Sequence, residues 1–328
     1  MHARTSSSSS AAARWCAYGS RSTAAGAVVP MRCNASVTNP NAPRRASTPN
    51  APVRARVDMV QPAEGQPAYV LHRRAYRESS ALVELLTRDF GLVGAVMRGV
   101  KRSPRSARDL EPFGQIAVSW RGRGQLVTLL RTETVVRRNL SGDALFAGLY
   151  VNELLVKTLG REEPVSSLFG SYDAAIASLA QARSSTFEPA SRSRSPNDGE
   201  ERRGFALEPI LRTFERRLLD ELGYGIAFDV DLANGRPIEP SRWYRVVDGE
   251  GFREVDGQDA STCVLDGSQI AAINAGDYTD RAVLQGAKQV LRRAIAVRLG
   301  GRPLATRRLF AAARHLTSEQ EPMAQSPS

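Results

Sequence analysis

The chain has 328 residues, of which 42% are hydrophobic, so it is long enough to form one large domain or two of ordinary size. No run reaches the roughly 18 apolar residues that a membrane-spanning helix requires, which predicts a soluble protein without a membrane partner. The cysteines, Cys16, Cys33 and Cys263, form no CxxC pair, which excludes a zinc ribbon or a disulfide framework and fits a reducing compartment.

The formal net charge of +11 lies in the first part of the chain. Residues 1–65 contain 8 Lys/Arg against 2 Asp/Glu, and residues 66–140 contain 14 against 6. Residues 141–328 contain 23 against 26, so they are slightly acidic. This asymmetry predicts a polyanionic partner for the first 140 residues, nucleic acid before membrane, although a basic surface kept for solubility has the same composition.

Residues 1–66 are rich in Ser, Ala, Pro and Arg and show no hydrophobic period. Such a segment cannot bury enough apolar surface to offset the entropy of ordering, so we predict a disordered, basic tail. Its Arg- and Ser-rich, acid-poor composition also resembles an organelle transit peptide, and a misassigned start codon is a further alternative.

Residues 67–140 contain five short runs of β-forming residues with glycines in several of the breaks between them. The runs are AYVLHRRAY (68–76), SALVELLTRD (80–89), GLVGAVMRG (91–99), GQIAVSW (114–120) and QLVTLLRTETVV (125–136). Five short strands in about 70 residues are typical of a small closed barrel. We therefore predict a five-stranded barrel of the oligonucleotide-binding (OB) type.

A cluster of cations lies between the third and fourth of these strands. It comprises Arg98, Lys101, Arg102, Arg105 and Arg108, and Arg121 and Arg123 follow at the next turn. Pro104 and the neighbouring serines predict a flexible loop, which suits a sequence-independent grip on phosphates. These residues are the predicted DNA-binding cations, with a merely solvated loop as the alternative.

Two aromatic residues near this loop are candidates for stacking on bases. Phe113 precedes the fourth strand, and Trp120 ends it. Aromatic side chains beside a basic groove hold single strands by stacking. The alternation of Ile116, Val118 and Trp120 equally predicts that Trp120 lies in the barrel core.

Residues 141–316 are predicted to form a mainly helical C-terminal domain with a small irregular, β-containing part, so the fold class is α+β and multidomain. The strongest helical periods are LEPILRTFERRLLDELGYG, from Leu207, and DRAVLQGAKQVLRRAIAVRLGG, from Asp280. A Ser-, Arg- and Pro-rich segment at residues 183–204 predicts a mobile loop between helices. Residues 317–328 are predicted to be a disordered tail.

No catalytic or cofactor site emerges from the sequence. His2 and His315 lie near the ends of the chain, and His72 is predicted to lie on the barrel surface. Gly94 and Gly99 have P-loop spacing, but Val100 stands where a phosphate-binding loop requires Lys. The sequence therefore predicts a binding protein that is not an enzyme and holds no cofactor and no metal.

Four segments in order give a resemblance to a known family. They are the barrel's opening with YRESS and GVKR, then YVNELLVKTLGREEP, FERRLLDELGYGIAFD and LGGRPLATRRL. Together they resemble the RecO family of bacterial recombination mediators over roughly residues 67–316. Many members carry a four-cysteine zinc site after the ELGY helix; this chain has DVDLANGRPIEP there, so it resembles the zinc-free branch.

The resemblance implies a DNA-repair protein of the RecF pathway that binds single- and double-stranded DNA and anneals complementary strands. It also implies that the protein binds the C-terminal tail of single-stranded-DNA-binding protein (SSB), pairs with RecR and helps to load the strand-exchange recombinase on SSB-coated DNA. The implied location is the bacterial cytoplasm, at the nucleoid, with an organelle as the alternative if the N-terminal tail is a transit peptide. An RNA-binding or ribosome-associated barrel protein is the competing function, since a barrel with a basic loop fits RNA equally well.

The implied SSB tail is acidic and ends in an apolar residue, so its receptor requires an apolar pocket edged by cations. Arg212 and Arg216 have acids at helical spacing on their own helix, which predicts the pairs Arg212–Glu208 and Arg216–Asp220. The helix from Asp280 has no acid after that residue. We therefore expect Lys288, Arg292 and Arg293 to bind the tail.

Overall fold

A computed structural model describes residues 62–161, 163–184, 196–257, 263–310 and 312; for 183–184 and 196–205 only the backbone is described. The predicted tails at 1–66 and 317–328 therefore lie outside the described residues, except for residues 62–66. There the prediction of disorder is wrong, because the first strand already begins at Ala63 and pairs with Trp120.

The first part of the chain is a closed five-stranded barrel, as predicted. Its strands are β1 (Ala63–Tyr76), β2 (Ser80–Thr87), β3 (Gly91–Met97), β4 (Gln115–Arg121) and β5 (Leu126–Val136). The strand order is β1-β2-β3-β5-β4, closed by pairing of β4 with β1, and only β3 and β5 run parallel. A short helix, α1 (Pro104–Asp109), connects β3 to β4.

The barrel interior is filled by side chains that alternate along each strand. In β4, Ile116, Val118 and Trp120 are buried, while the residues between them are half-buried. Trp120 is 2% exposed and its ring lies edge-on to Phe90 with centroids 5.2 Å apart. The strand pattern in the sequence thus predicted the core side of β4 correctly.

The second part of the described chain is mainly helical. Its helices are α2 (Asp143–Thr158), α3 (Ser166–Ser184), α4 (Pro196–Glu221), α5 (Gly267–Ala275), α6 (Arg281–Arg298) and α7 (305–310). A three-stranded antiparallel sheet, β6 (Trp243–Val247), β7 (Gly251–Val255) and β8 (Val264–Asp266), lies between α4 and α5 in the chain, with strand order β7-β6-β8. This sheet is the predicted β-containing part.

Helix α4 begins earlier than its sequence indicates. Residues 196–204 are helical, so the predicted loop at 183–204 is wrong for that part, and residues 185–195 lie outside the described chain. Pro209 accordingly lies inside the helix rather than in its first turn. Periodicity failed here because residues 196–206 offer no apolar stripe, whereas a polar sequence can continue a helix that is anchored further along.

The barrel interior is a hydrophobic cluster of its own, and outward-facing barrel residues form a second cluster with the helices. Tyr69, Leu71, Leu86 and Leu92 point outward from the barrel and belong to the same buried cluster as α2, α3 and α4. The Asn152 side-chain amide donates to the carbonyl of Leu71 at 2.9 Å, across this junction. The two parts therefore pack as one body.

A polar cluster fastens the same junction. The Tyr69 hydroxyl donates to Asp173, and Arg138 forms an ion pair with Asp173 at 2.7 Å. Burial, reinforced by the hydrogen bond to Asp173, raises the pKa of Tyr69 to about 12, so the phenol stays protonated and remains a donor. The cluster joins β1 to α3.

Candidate functional site

The predicted flexible loop between β3 and β4 is an ordered cap on the barrel, so that prediction is wrong. Residues Val100–Arg102 form a 3-10 turn, and α1 follows, with the Ser103 hydroxyl accepting the Ser106 N–H at 3.2 Å. Pro104 fits the first turn of α1, where its missing N–H costs nothing. The serine and proline that indicated flexibility are thus the start signals of a helix.

A buried carboxylate holds α1 to the barrel. Asp109 is 4% exposed and accepts hydrogen bonds from the hydroxyls of Thr134 at 2.7 Å and Thr132 at 3.3 Å, both on β5. Arg73 of β1 donates to the carbonyl of Ala107 at 2.8 Å. Because α1 is held at two sides, the backbone positions that carry Arg105 and Arg108 are defined.

All the predicted DNA-binding cations are exposed. They are Arg98, Lys101, Arg102, Arg105, Arg108, Arg121 and Arg123. Among the described residues none of them forms an ion pair, and Arg108 only donates to the carbonyl of Pro104 at 3.4 Å. Their charges are therefore available to an external anion.

Strand register links some of these cations through one cross-strand row on the outside of the barrel. Five cross-strand neighbours form a row, namely Arg74, Leu82, Val96, Thr128 and Arg121. Leu82 and Val96 face outward because their neighbours Ala81, Ala95 and Met97 fill the interior. Arg98 follows β3 two residues after Val96. We call Arg74, Leu82, Val96, Arg98, Thr128 and Arg121 the basic row.

Among the paired residues of the row, the exposed Arg74 and Arg121 stand at the two ends with uncharged residues between them, and Arg98 adds a third exposed cation. Leu82 is 9% exposed and Val96 is half-buried. In the next row the one acid, Glu84, is neutralised by Arg161 at 2.9 Å. The surface along the basic row can therefore attract a polyanion without repulsion from a nearby acid.

Both candidate stacking residues are buried, which contradicts a stacking role for either and agrees with the alternative of a core position for Trp120. Trp120 belongs to the barrel interior, and Phe113 is 3% exposed. The backbone of Phe113 has φ 74°, which turns its ring toward α2. A Cβ at Gly148 would lie 2.7 Å from that ring, so α2 approaches Phe113 closely because Gly148 has no side chain.

Residues at the end of β1 and in the β1–β2 turn add cations that the strand pattern did not predict. Arg73, Arg74 and Arg77 add three cations there, and Tyr76 is half-buried with the Arg77 guanidinium 5.2 Å from its ring centroid. The Lys101 N–H donates to the carbonyl of Ser79 at 3.4 Å, so this turn lies beside the cation-rich cap. The signal was present in HRRAYR, which was interpreted only as a strand.

A second candidate site is a pocket of about 200 Å³ between helices α2, α4, α6 and α7. Its apolar lining comes from Phe146, Ala147, Tyr150, Leu207, Leu211 and Phe310, and its cations are Arg212, Lys288, Arg292 and Arg307. Glu208 and Asp143 are the acids of its lining. The structure thus brings an apolar cavity and a set of cations together at one place.

Two of the three predicted tail-binding cations line this pocket. Lys288 and Arg292 do, whereas Arg293 forms an ion pair with Asp248 at 3.1 Å and is not in the lining. Partial burial, followed by the nearby charges of Arg307 and Arg212, lowers the pKa of Arg292. The prediction of Arg293 as a pocket residue is wrong because helical spacing does not tell which side of a helix faces a cavity.

Arg212 lies in the pocket lining with unused donors. It is 2% exposed and pairs with Glu215 at 3.0 Å rather than with the expected Glu208. Its Nε and Nη1 atoms have no hydrogen-bond partner among the described residues. Buried guanidinium donors without partners are costly, so either a bound water or a ligand with acceptor atoms would satisfy them.

The other polar groups around Arg212 are fixed. The Tyr150 hydroxyl donates to Glu215 at 2.6 Å, and Arg307 donates to the Tyr150 oxygen at 3.1 Å. Arg216, expected to pair with Asp220, instead donates to carbonyls at the end of α5, including Ile273 at 2.8 Å. The predicted pairing within α4 therefore holds for Arg212, with Glu215 instead of Glu208 as the partner, and is wrong for Arg216.

No described segment offers a metal centre. Where the resemblance places zinc ligands in other members, residues 229–240 contain no Cys or His. There the Asp231 carboxylate accepts the N–H groups of Ala233 at 3.0 Å and Glu254 at 3.3 Å, and it holds the turn by hydrogen bonds. In the described chain no group of three or more potential ligands is suitably clustered, and no helix is long and apolar enough to cross a membrane.

Comparison with known proteins gives consistent matches. The family model described as "Recombination protein O N terminal" matches residues 63–137, which is the barrel. "DNA repair protein RecO" of Pseudomonas aeruginosa (strain LESB58) is 39% identical over 249 residues, covering 76% of this chain and 95% of that protein. Proteins of the same name are 40% identical over 246 residues in Stutzerimonas stutzeri (75% of this chain, 92% of that protein) and 38% over 254 residues in Nitrosococcus oceani (76% and 94%).

Proposed function

Because the chain belongs to the RecO family of DNA repair proteins, we propose that it is a non-catalytic recombination mediator that works on DNA during repair. In this proposal the barrel binds single- and double-stranded DNA and anneals complementary strands. The helical part binds the C-terminal tail of SSB, and the protein acts with RecR to load the strand-exchange recombinase.

The basic row carries the proposal for DNA. An exposed arginine stands at each end of a surface of Leu, Val and Thr, and the cations of the α1 cap lie at the same end of the barrel as Tyr76. Cations would contact phosphates, while the uncharged middle and the Tyr76 ring would contact bases. None of these contacts reads a particular base, which suits annealing of any sequence.

The helical pocket supports the proposal for the SSB tail. Its apolar walls can take an apolar terminal side chain, and its rim cations can take acidic residues. The unpartnered nitrogens of Arg212 can donate to a carboxylate. Both features are required together, because an acidic peptide without an anchor would bind only by screened charges.

Strand annealing tests the proposed activity. Two complementary labelled oligonucleotides, bare or coated with SSB, should pair faster with the protein than without it. A competition between single-stranded DNA and RNA of equal length separates the proposal from an RNA-binding function, since equal competition by RNA would favour the latter. Failure to accelerate pairing of either substrate would refute the mediator role.

A further inference from the structure

Lys288 and Glu208 form an ion pair at the pocket, joining α6 to α4. Both residues belong to the pocket lining, and their side chains are 31% and 24% exposed. The pair is thus neither buried in the core nor free in solvent. An incoming ligand meets it at the cavity wall.

The neighbouring cations of the pocket are held differently. Arg212 faces Glu215 beneath the cavity, and Arg307 donates to the Tyr150 hydroxyl. Lys288 alone among the lining cations forms its described ion pair with a carboxylate that itself lines the cavity. The Glu208 carboxylate therefore occupies the position that an acidic side chain of a ligand would take.

We propose that Glu208 is an internal competitor for acidic ligands and thereby sets the affinity of the pocket for an acidic peptide with an apolar terminus. The inference rests on the proposed function of the pocket. A ligand carboxylate that approaches Lys288 must compete with Glu208, either by displacing it or against its negative charge, so each acidic ligand that uses Lys288 binds more weakly. Peptides with an apolar anchor retain useful affinity, whereas anions without an anchor do not.

The strength of the pair limits the effect. A partly exposed ion pair is screened by water and has a modest net strength, so it can be exchanged for another carboxylate. Removal of Glu208 should accordingly tighten binding of the acidic peptide by roughly twofold to fivefold. A larger change would mean that Glu208 blocks the cavity itself.

The test uses the full chain and a short fluorescein-labelled peptide that carries several aspartates and ends in phenylalanine. Glu208→Gln should tighten binding of this peptide, and Lys288→Met should weaken it. In the Lys288→Met background, Glu208→Gln should give no further gain. A peptide with asparagine in place of each aspartate should bind Glu208→Gln and the unsubstituted chain equally.

Asp248 provides the matched control. It pairs with Arg293 of the same helix at 3.1 Å but does not line the pocket. Asp248→Asn removes the same charge near α6 and should leave peptide affinity unchanged. Tighter peptide binding by Asp248→Asn would show that removing any negative charge near α6 is enough, whether or not the charge lines the pocket.

Three outcomes overturn the inference. The first is that Glu208→Gln leaves the peptide affinity unchanged, or weakens it and also lowers the melting temperature. Either result is expected if the ion pair only holds α4 to α6. The second is that Glu208→Gln still tightens peptide binding in the Lys288→Met background, which would show that Glu208 acts by long-range electrostatic repulsion and not through Lys288. If neither the unsubstituted chain nor Glu208→Gln binds the peptide, the proposed function of the pocket fails, and the inference fails with it.

Discussion

The barrel face and the helical pocket use the same residue types in opposite ways. Arg74 and Arg121 of the basic row are exposed and have no ion pair with any described residue. In the pocket, Arg212 is buried against Glu215 and Lys288 is paired with Glu208. An open cation attracts any polyanion and is screened by salt, whereas a cation paired with a carboxylate at the cavity wall, such as Lys288, responds mainly to a ligand that competes with that carboxylate. The contrast separates general attraction from selective binding.

The largest effect is expected from replacing Arg212, the buried cation of the pocket. Arg212→Met should lower the free energy of unfolding by about 3–5 kcal/mol, because it leaves the buried Glu215 without its charge partner. The double variant Arg212→Met, Glu215→Met should recover most of that loss, and denaturant unfolding measures both. If the single variant is as stable as the unsubstituted chain, Arg212 is not a buried structural cation.

The double variant also isolates the binding role. It should remain folded and still fail to bind the acidic peptide, because the unpartnered donors of Arg212 are gone. Its affinity for DNA should stay unchanged. Peptide binding at full strength by the folded double variant would place the anion contact elsewhere.

The next effect removes the open cations of the barrel. Replacing Arg74, Arg98 and Arg121 together with alanine should weaken single-stranded DNA binding about 100-fold at 0.1 M salt and lower the salt slope by about 2. Stability should hardly change, since the three side chains are exposed. Fluorescence anisotropy over a range of salt concentrations measures both quantities.

Two comparison variants make that experiment specific. Arg88→Ala with Arg131→Ala removes barrel cations that pair with Asp89 and Glu133 and lie off the row, so the loss should be small. Replacing Lys101, Arg102 and Arg105 together with alanine tests whether the cations of the 3-10 turn and α1 contact DNA. A larger loss from the α1 set than from the row would move the main DNA contact to the cap.

A smaller effect concerns Glu153, which ties α7 to α2. Partial burial alone would raise its pKa, but hydrogen bonds from Lys157, Thr306 and Ala305 outweigh it and lower the pKa of Glu153 to about 2. Its contribution to stability is therefore complete above pH about 4.5, the ordinary value, and is lost as pH falls toward about 2. Glu153→Gln should cost about 1–2 kcal/mol at neutral pH and weaken peptide binding, because Arg307 and Phe310 lie on α7.

The pH dependence supplies the check on this prediction. The difference in unfolding free energy between the unsubstituted chain and Glu153→Gln should be constant above pH about 4.5 and shrink in more acidic solution. A difference that does not change with pH would mean that the carboxylate charge is irrelevant to the contact.

The smallest effect is expected from Tyr76 and tests whether its ring stacks on a base. Tyr76→Ser should weaken single-stranded DNA binding by about 1 kcal/mol if its ring stacks on a base, whereas Tyr76→Phe should preserve the affinity. Duplex DNA should bind both variants equally, since its bases are already stacked. Equal weakening for single and double strands would assign Tyr76 to the fold of the turn.

Local pattern predicted much of this structure. The alternation in β4 placed Trp120 inside, and Asp280 caps α6 by accepting the Ala282 N–H at 2.6 Å. The strands of the barrel were found because each satisfies its own period. The number of strands and their Gly-containing breaks then left few topologies other than a closed barrel.

Two errors were local, namely the helix starts at Pro104 and Pro196, and the others concern contacts between distant segments. Helical spacing on α6 showed no acid near Lys288 or Arg293, yet α4 supplies Glu208 and the residue after β6 supplies Asp248. Phe113 was unpredictable because its burial depends on Gly148, which follows 35 positions later in the chain. The basic row depends on strand register, which no single strand encodes.

The hydrophobic cluster shared by barrel and helices limits how this protein can be dissected. The outward faces of β1, β2 and β3 present Tyr69, Leu71, Leu86 and Leu92 to the helices. A fragment that ends after β5 would expose these side chains as a hydrophobic surface. Such a surface favours aggregation over independent folding. A minimal DNA-binding fragment must therefore retain α2 and α3, and attempts to graft the barrel alone onto another protein would first have to redesign that surface.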